Sequence, residues 1–289
     1  MTQGSAVRLG GHLGLSSPDK PLLAPLGRSV GAADQIAALA AHGFAGVQDL
    51  GLMFRPATER AAMARALRAA GMVLSSTNGD GHNWNTPLWS RSDAEGRELQ
   101  AASVAGSAGL ARAFGGLGTV CVAGLDPDRP RSAQLADMAE ALRRVAEPAA
   151  EAGLTMLVEP IAAARIPGML LAELEHGVEV VAAVAMPSVR LLFDTGHVAM
   201  MGHDVPRALM DCAGLIGLVQ VADVSGSERL DPGLGTLDWA AVVGALGAIG
   251  YDGVVELEYE PADWSAAGVT AMLARLAALF PGFTTPCAD

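Results

Sequence analysis

An α/β protein folded as a single (β/α)8 barrel, the TIM-barrel architecture, is predicted by three observations. Short apolar runs alternate with longer helical patterns from one end of the chain to the other, the signature of repeated βα units with parallel strands. Eight such units can be counted, and 289 residues suit a barrel, a fold that takes about 250 residues as one domain. No composition shift or long Pro/Ser linker divides the chain, so one domain over residues 1–289 is expected. An open dinucleotide-binding sheet is disfavoured because no GxGxxG follows the first strand.

Taken in order, strands are expected at 7–13, 45–50, 73–77, 119–123, 155–160, 190–195, 216–222 and 253–259. Each is a short apolar run bounded by turn-forming residues. Helices are expected at 32–42, 58–70, 93–114, 133–152, 170–184, 205–212, 237–249 and 264–279. Gly43, Gly71, Gly153 and Gly250 sit where such helices stop, and they read as C-terminal caps rather than phosphate cradles. Pro148 should kink the fourth helix or divide it in two.

Composition narrows the partners. Hydrophobic residues make up 51% and charged residues 17%, enough for a large core and unlike a disordered chain. The net charge of −12 repels phosphate backbones and anionic lipid, so neither nucleic acid nor membrane is an expected partner. Lys20 is the sole lysine, in a Ser/Pro-rich loop, which leaves Schiff-base chemistry one poor candidate. Cys121, Cys212 and Cys287 are odd in number and widely spaced, so they read as buried or incidental thiols of a reducing compartment. No basic-then-apolar leader and no run of about 18 apolar residues occurs, and a cytoplasmic protein is expected.

The chemistry lies at the strand ends. In LTMLVEPI, Glu159 shares parity with Thr155 and Leu157; in RLLFDTGH, Asp194 shares parity with Arg190 and Leu192. Gln220 ends GLVQVAD on the parity of Leu218, and Glu258 ends VVELEYEP on that of Val254 and Glu256. A barrel gathers the C-terminal ends of neighbouring strands five to eight at one mouth. Three carboxylates packed there without a cation would repel and raise one another's pKa, so a divalent ion is the natural compensation. All-oxygen ligation by Glu159, Asp194, Gln220 and Glu258 points to Mg²⁺ or Mn²⁺ rather than zinc. Glu256 sits deeper and is expected to pair with Arg8 inside the barrel.

EAGLTMLVEPI, VRLLFDTGH, GLVQVADVSG with DPGLGTLDW, and GYDGVVELEYEP together resemble the hydroxypyruvate isomerase family within the xylose-isomerase-like superfamily of sugar isomerases and epimerases. HGFAGVQ and NGDGHNW extend the resemblance more loosely into the first half. It implies enolisation of a small hydroxy-carbonyl compound: hydroxypyruvate, a ketose or a sugar derivative. By that likeness Glu159 and Glu258 bind the metal and act as the proton-transferring pair through an enediolate, while Asp194 and Gln220 complete the ligand set. His197, three residues past Asp194, takes a place that contacts substrate oxygens in relatives. Trp84 either walls a sugar-sized pocket or covers the rim; His203 and Trp239 read as structural. The resemblance also implies a homo-oligomer.

Three positions depart from the family pattern. Its arginine follows the Gln strand in a Pro-Gly-Arg turn; Ser227 holds that place counting from Gln220, whereas Arg229 holds it counting back from Pro232, so the loop is about two residues longer. If Arg229 reaches the mouth it can hold a substrate carboxylate or phosphate bidentately. Gln48 stands where relatives often have Glu, and Gln220 where many ketose epimerases have His, a ligand set leaning toward the hydroxypyruvate isomerase branch. Two other readings remain: elimination from a keto-sugar or keto-cyclitol on the same site, and a non-catalytic sugar-binding or partner-subunit barrel. A zinc-cluster DNA-repair barrel is disfavoured by six scattered histidines and the acidic charge.

Overall fold

The structure is a computed structural model that describes residues 7–27 and 29–284. Cys287 and the first six residues, on which the thiol and leader expectations partly rest, lie outside the described residues.

Eight parallel strands alternate with helices: β1 Arg8–His12, α1 Ala32–Ala41, β2 Gly46–Gln48, α2 Ala57–Ala70, β3 Val73–Asn78, α3 Ala94–Phe114, β4 Leu117–Cys121 and α4 Arg131–Glu151. The chain continues with β5 Leu154–Val158, α5 Leu174–Val184, β6 Val189–Asp194, α6 Thr195–Met200, α7 Val205–Cys212 and β7 Ile216–Val221. A hairpin of β8 Asp223–Ser225 and β9 Glu228–Leu230 precedes α8 Trp239–Ala248, β10 Val254–Leu257 and α9 Ala266–Leu279. The strands close into a barrel in the order β1-β10-β7-β6-β5-β4-β3-β2, which confirms the predicted fold.

Strand parity divides the apolar residues into two layers. Val120, Val122, Leu157, Leu192 and Leu218 fill the barrel interior with Ile161 and Met169. The opposite parity, including Leu191, Phe193, Val219 and Val255, packs under the helices in the larger core. Burying each such side chain contributes roughly 1.5–3 kcal/mol before entropy is counted. Gly10 and Gly46 leave room for Val254, whose methyls lie 2.5 Å and 2.9 Å from where their Cβ atoms would stand.

Several boundaries differ from expectation for local reasons. α4 runs unbroken through Pro148, so the two-segment alternative is not seen. α5 begins at Leu174 because the preceding residues pin a loop instead: the Leu170 amide donates to the Ala123 carbonyl and Gly124 bridges Met169. The segment after Asp194 forms helix α6, capped by the Asp194 carboxylate at the His197 amide, 2.9 Å away. The long loop after β7 is the β8–β9 hairpin, turning through Gly226 at φ 61. No helix among the described residues is long and apolar enough to cross a membrane.

The expected Arg8–Glu256 pair does not form. Register sets Arg8 opposite Val254 and Glu256 opposite Gly10, so the two side chains lie two residues apart along the barrel axis. Arg8 sits on the exposed rim and donates to the Asp252 carbonyl at 3.2 Å. Glu256, fully buried, accepts from Ser75, Ser76 and Gln220.

Candidate active site

Glu159, Asp194, Gln220 and Glu258 follow or close strands β5, β6, β7 and β10, and the fold gathers those ends at one mouth. Asp194 and Gln220 are register partners, as are Gln220 and Glu256. A cavity of about 1000 Å³ opens there, lined by Glu159, His197, Gln220, Arg229 and Glu258, with Trp84, Ile161 and Ile166 on its apolar side. Trp84 also packs on the interior cluster, so it walls the cavity.

Glu159, Asp194 and His197 bring one ligand-capable atom each to within 4.8 Å of one another, the one such group among the described residues. His197, expected to contact substrate, thus joins the metal-competent cluster, while Glu258 lines the same cavity outside it. The Asp194 cap explains the placement: by starting α6 at Thr195 it turns the His197 ring back over the mouth, its Nε2 3.9 Å from Glu159 Oε1.

Arg229 does reach the mouth. Paired with Val224 across the hairpin, it donates from Nη2 to Asp194 Oδ2, and its Nη1 lies 3.1 Å from His197 Nε2. Asp223 and Asp231 hold that hairpin loop. Asp223 accepts from the Trp239 indole at 2.8 Å and from the amides of Val224, Gly233 and Leu237. Asp231 pairs with Arg275 on α9 at 2.5 Å.

Charge balance is unequal. Burial pushes the Glu159 carboxyl well above its usual range, with Asp194 and Glu258 adding to the effect. Burial likewise pushes Glu258 up to about 7, against the pull of Arg229. The His197 imidazole is pushed down to about 4 by burial. Glu258 Oε2, Gln220 Oε1 and His197 Nδ1 are buried without a partner. Crowded carboxylates with partnerless acceptor atoms are what a cation would satisfy, so the donor set fits a divalent metal. The imidazole makes the set less strictly oxygen than expected, which suits Mn²⁺ at least as well as Mg²⁺.

The raised carboxyls have a consequence for stability in the metal-free protein. Glu258 stays protonated in the fold while its unfolded counterpart ionises above about 4.5, so its contribution erodes as pH rises from there to about 7. His12 and His197, both held near 4, act in the opposite direction between about 4 and 6.5. Comparison with Glu258→Gln isolates the carboxyl: in urea unfolding with chelator, the variant should gain on wild type by roughly 2–3 kcal/mol between pH 4.5 and 7.5. A pH-independent difference would contradict this.

Other residues stand where the sequence places them. His203 lies outside the site, 3.7 Å from Glu175, and Trp239 is buried against Phe280. Cys121 and Cys212 are free and buried. Lys20 is exposed beside Glu260. Arg165, overlooked in the sequence because it lies in an unpatterned loop after β5, lines the cavity, and its guanidinium has no hydrogen-bond or ion-pair partner among the described residues.

Comparison with known proteins places this geometry. The family model described as Xylose isomerase-like TIM barrel matches residues 36–277. The 2-oxo-tetronate isomerase of Cupriavidus necator is 32% identical over 243 residues, 82% of this chain and 90% of that protein. The hydroxypyruvate isomerase of Escherichia coli is 28% identical over 57% of this chain and 64% of its own length. Among solved structures, the family 2 AP endonuclease from Brucella melitensis shares a TM-score of 0.77 at 22% identity, covering 95% of this chain and 99% of that one. The 3-keto-D-glucoside 4-epimerase from E. coli shares a TM-score of 0.74 at 19% identity, covering 94% and 98%. At such identities the structural likeness shows the fold alone, whereas the family model spans most of the sequence. The chain therefore belongs to the xylose isomerase-like TIM barrel family.

Proposed function

We propose that the protein is a divalent-metal-dependent isomerase of a small hydroxy-carbonyl compound, working by glutamate-mediated proton transfer. The observation that carries this reading is the pair Glu159 and Glu258, which face one cavity from β5 and β10 around the Asp194–His197 cluster. Glu159, Asp194, Glu258 and the Gln220 Oε1 would hold the ion, with His197 beside them. Bound Mn²⁺ or Mg²⁺ would supply Lewis-acid polarisation of the substrate carbonyl.

The protein's own groups perform the proton transfer. One glutamate, as carboxylate, takes the proton from the hydroxyl-bearing carbon next to the carbonyl; the other, as acid, delivers a proton to the former carbonyl carbon. The hydroxyl proton passes from one oxygen to the other, and proton exchange with solvent returns both glutamates to their starting states. Glu258, poised near neutral pH, can take either role. Trp84, Ile161 and Ile166 exclude water from the apolar side, and His197, with Arg229 held to Asp194 beside it, faces the substrate's carbonyl and hydroxyl oxygens.

Curated relatives are named 2-oxo-tetronate and hydroxypyruvate isomerases, which supports a hydroxylated 2-oxo acid as substrate. Arg229 is engaged by Asp194 and Arg55 by Asp49 and Glu59, so among the described residues that line the cavity Arg165 is the cation free to meet a carboxylate. Arg165→Ala should raise KM for such acids about tenfold or more, the loss of one charged hydrogen bond, with kcat nearly unchanged. Equal KM values would remove Arg165 from the site.

Elimination on the same site would be favoured by the longer loop after β7 with no arginine at the usual turn position, but Arg229 is carried to the mouth by that same loop, which favours the isomerase. A non-catalytic binder has no use for two crowded glutamates facing one cavity. A cytoplasmic homo-oligomer is the assembly we propose with this activity. The test is metal content of the purified protein and mass-resolved turnover of a panel of hydroxypyruvate, 2-oxo-tetronate, ketoses and keto-cyclitols. Mass-neutral conversion lost with chelator supports the isomerase; loss of water moves the protein to the dehydratases.

A further inference from the structure

We propose that Glu256 is a positioning residue for the candidate metal site: it fixes the Gln220 amide so that only its Oε1 faces the cavity as a ligand. This rests on the metal-dependent reading above and concerns a residue that touches neither ion nor substrate.

Glu256 is fully buried in the barrel interior, and among the described residues no arginine or lysine pairs with it. Its carboxylate is held by neutral donors instead. Ser75 donates to Oε1 at 2.5 Å, and Ser76 donates to both oxygens at 2.8 Å and 2.9 Å. The remaining bond comes from Gln220 Nε2 to Oε2, at 2.9 Å. A buried carboxylate without a counter-charge is costly, so its retention on an interior position where an apolar residue would pack calls for a reason.

The amide supplies one. Gln220 Nε2 has two acceptors near it: Glu256 Oε2 and, at 3.5 Å, Gln48 Oε1. Gln48 is itself oriented, because its Nε2 donates to the Leu257 carbonyl at 2.9 Å and so leaves Oε1 toward Gln220. Turning the Gln220 amide over would set its oxygen against a carboxylate and a second carbonyl-type oxygen, with two repulsions replacing two attractions. The amide is thus locked, and Oε1, buried and without a partner, is the atom left for a cation at the cavity that Gln220 lines.

Registry reinforces the assignment. Glu256 pairs with Gln220 across β10 and β7, and Gln220 pairs with Asp194 across β7 and β6, so three oxygen-bearing groups form one layer of the barrel. A single shift of register would break it.

The test is a double-mutant cycle read by Mn²⁺ affinity, measured by titration with the free ion and no substrate. Glu256→Leu should weaken Mn²⁺ binding about tenfold or more in the Gln220 protein, and by less than about twofold in the Gln220→Ala background. Glu256→Gln, which keeps an acceptor for the amide, should recover most of the loss. Equal losses in both backgrounds, or no loss in either, would overturn the positioning role while leaving the metal site intact. Wild type that binds no Mn²⁺ would overturn the metal reading and this inference together. Should Glu256→Leu fail to fold, Glu256→Met, which likewise offers the Gln220 amide no carboxylate oxygen, is run through the same cycle under the same criteria.

Discussion

Glu258→Gln is expected to lower kcat by about 10³ while the barrel stays folded, the largest catalytic effect of any single substitution in this protein. The side chain leaves the end of β10 into the cavity, and burial holds its carboxyl at about 7. Gln keeps the shape and the hydrogen-bonding oxygen but cannot exchange a proton, so the loss should fall on kcat rather than KM. The same change removes a buried carboxyl that neither serine nor arginine neutralises by direct contact, and the variant should therefore be no less stable than wild type at neutral pH. Two measurements check this: steady-state turnover of the 2-oxo acid panel, and exchange of the substrate's carbon-bound proton with deuterated solvent. Exchange that persists in the variant at more than a tenth of the wild-type rate would assign proton removal to Glu159 instead.

Strand ends were the most legible part of the chain. Glu159, Asp194, Gln220 and Glu258 share parity with interior residues in their own runs, and in a closed parallel barrel that parity leads to one mouth. What could not be read were contacts decided between strands. Arg8 and Glu256 are residue types of opposite charge on adjacent strands, but only the register shows them two residues apart. The partners of Glu256 come from β3 and β7, far apart in sequence, and no local pattern links Ser76 to Glu256. His197 joins the cluster because Asp194 caps a short helix; the run DTGHVAM contains that cap signal, Asp followed by a helix-compatible stretch, though it is overshadowed by its likeness to a loop. Arg229 was placed by counting from either end of the loop, and the ambiguity ended only with the hairpin, which absorbs the additional residues as a two-residue turn and two short strands.

Asp223→Ala should cost about 3–5 kcal/mol, the largest stability loss outside the barrel interior. Asp223 is fully buried just past β7, where it gathers four donors: the Trp239 indole at 2.8 Å and the backbone amides of Val224, Gly233 and Leu237 between 2.9 Å and 3.0 Å. Burial opposes its charge, but those hydrogen bonds prevail and hold its carboxyl below the usual range. Its contribution is therefore present above about pH 4 and lost as pH falls through the depressed value. Alanine would leave the indole and three amides facing apolar surroundings, beside the Gly235 backbone that packs against the carboxylate. The functional effect travels through the hairpin, because the donors bracket the segment that carries Arg229 to Asp194 and His197. Asp223→Asn, which keeps one acceptor oxygen, should lose about half as much. Urea unfolding of the three proteins, with KM for a 2-oxo acid measured beside it, decides the matter: a loss under about 1 kcal/mol in the alanine variant would mean that the loop holds itself in place and Arg229 does not depend on Asp223.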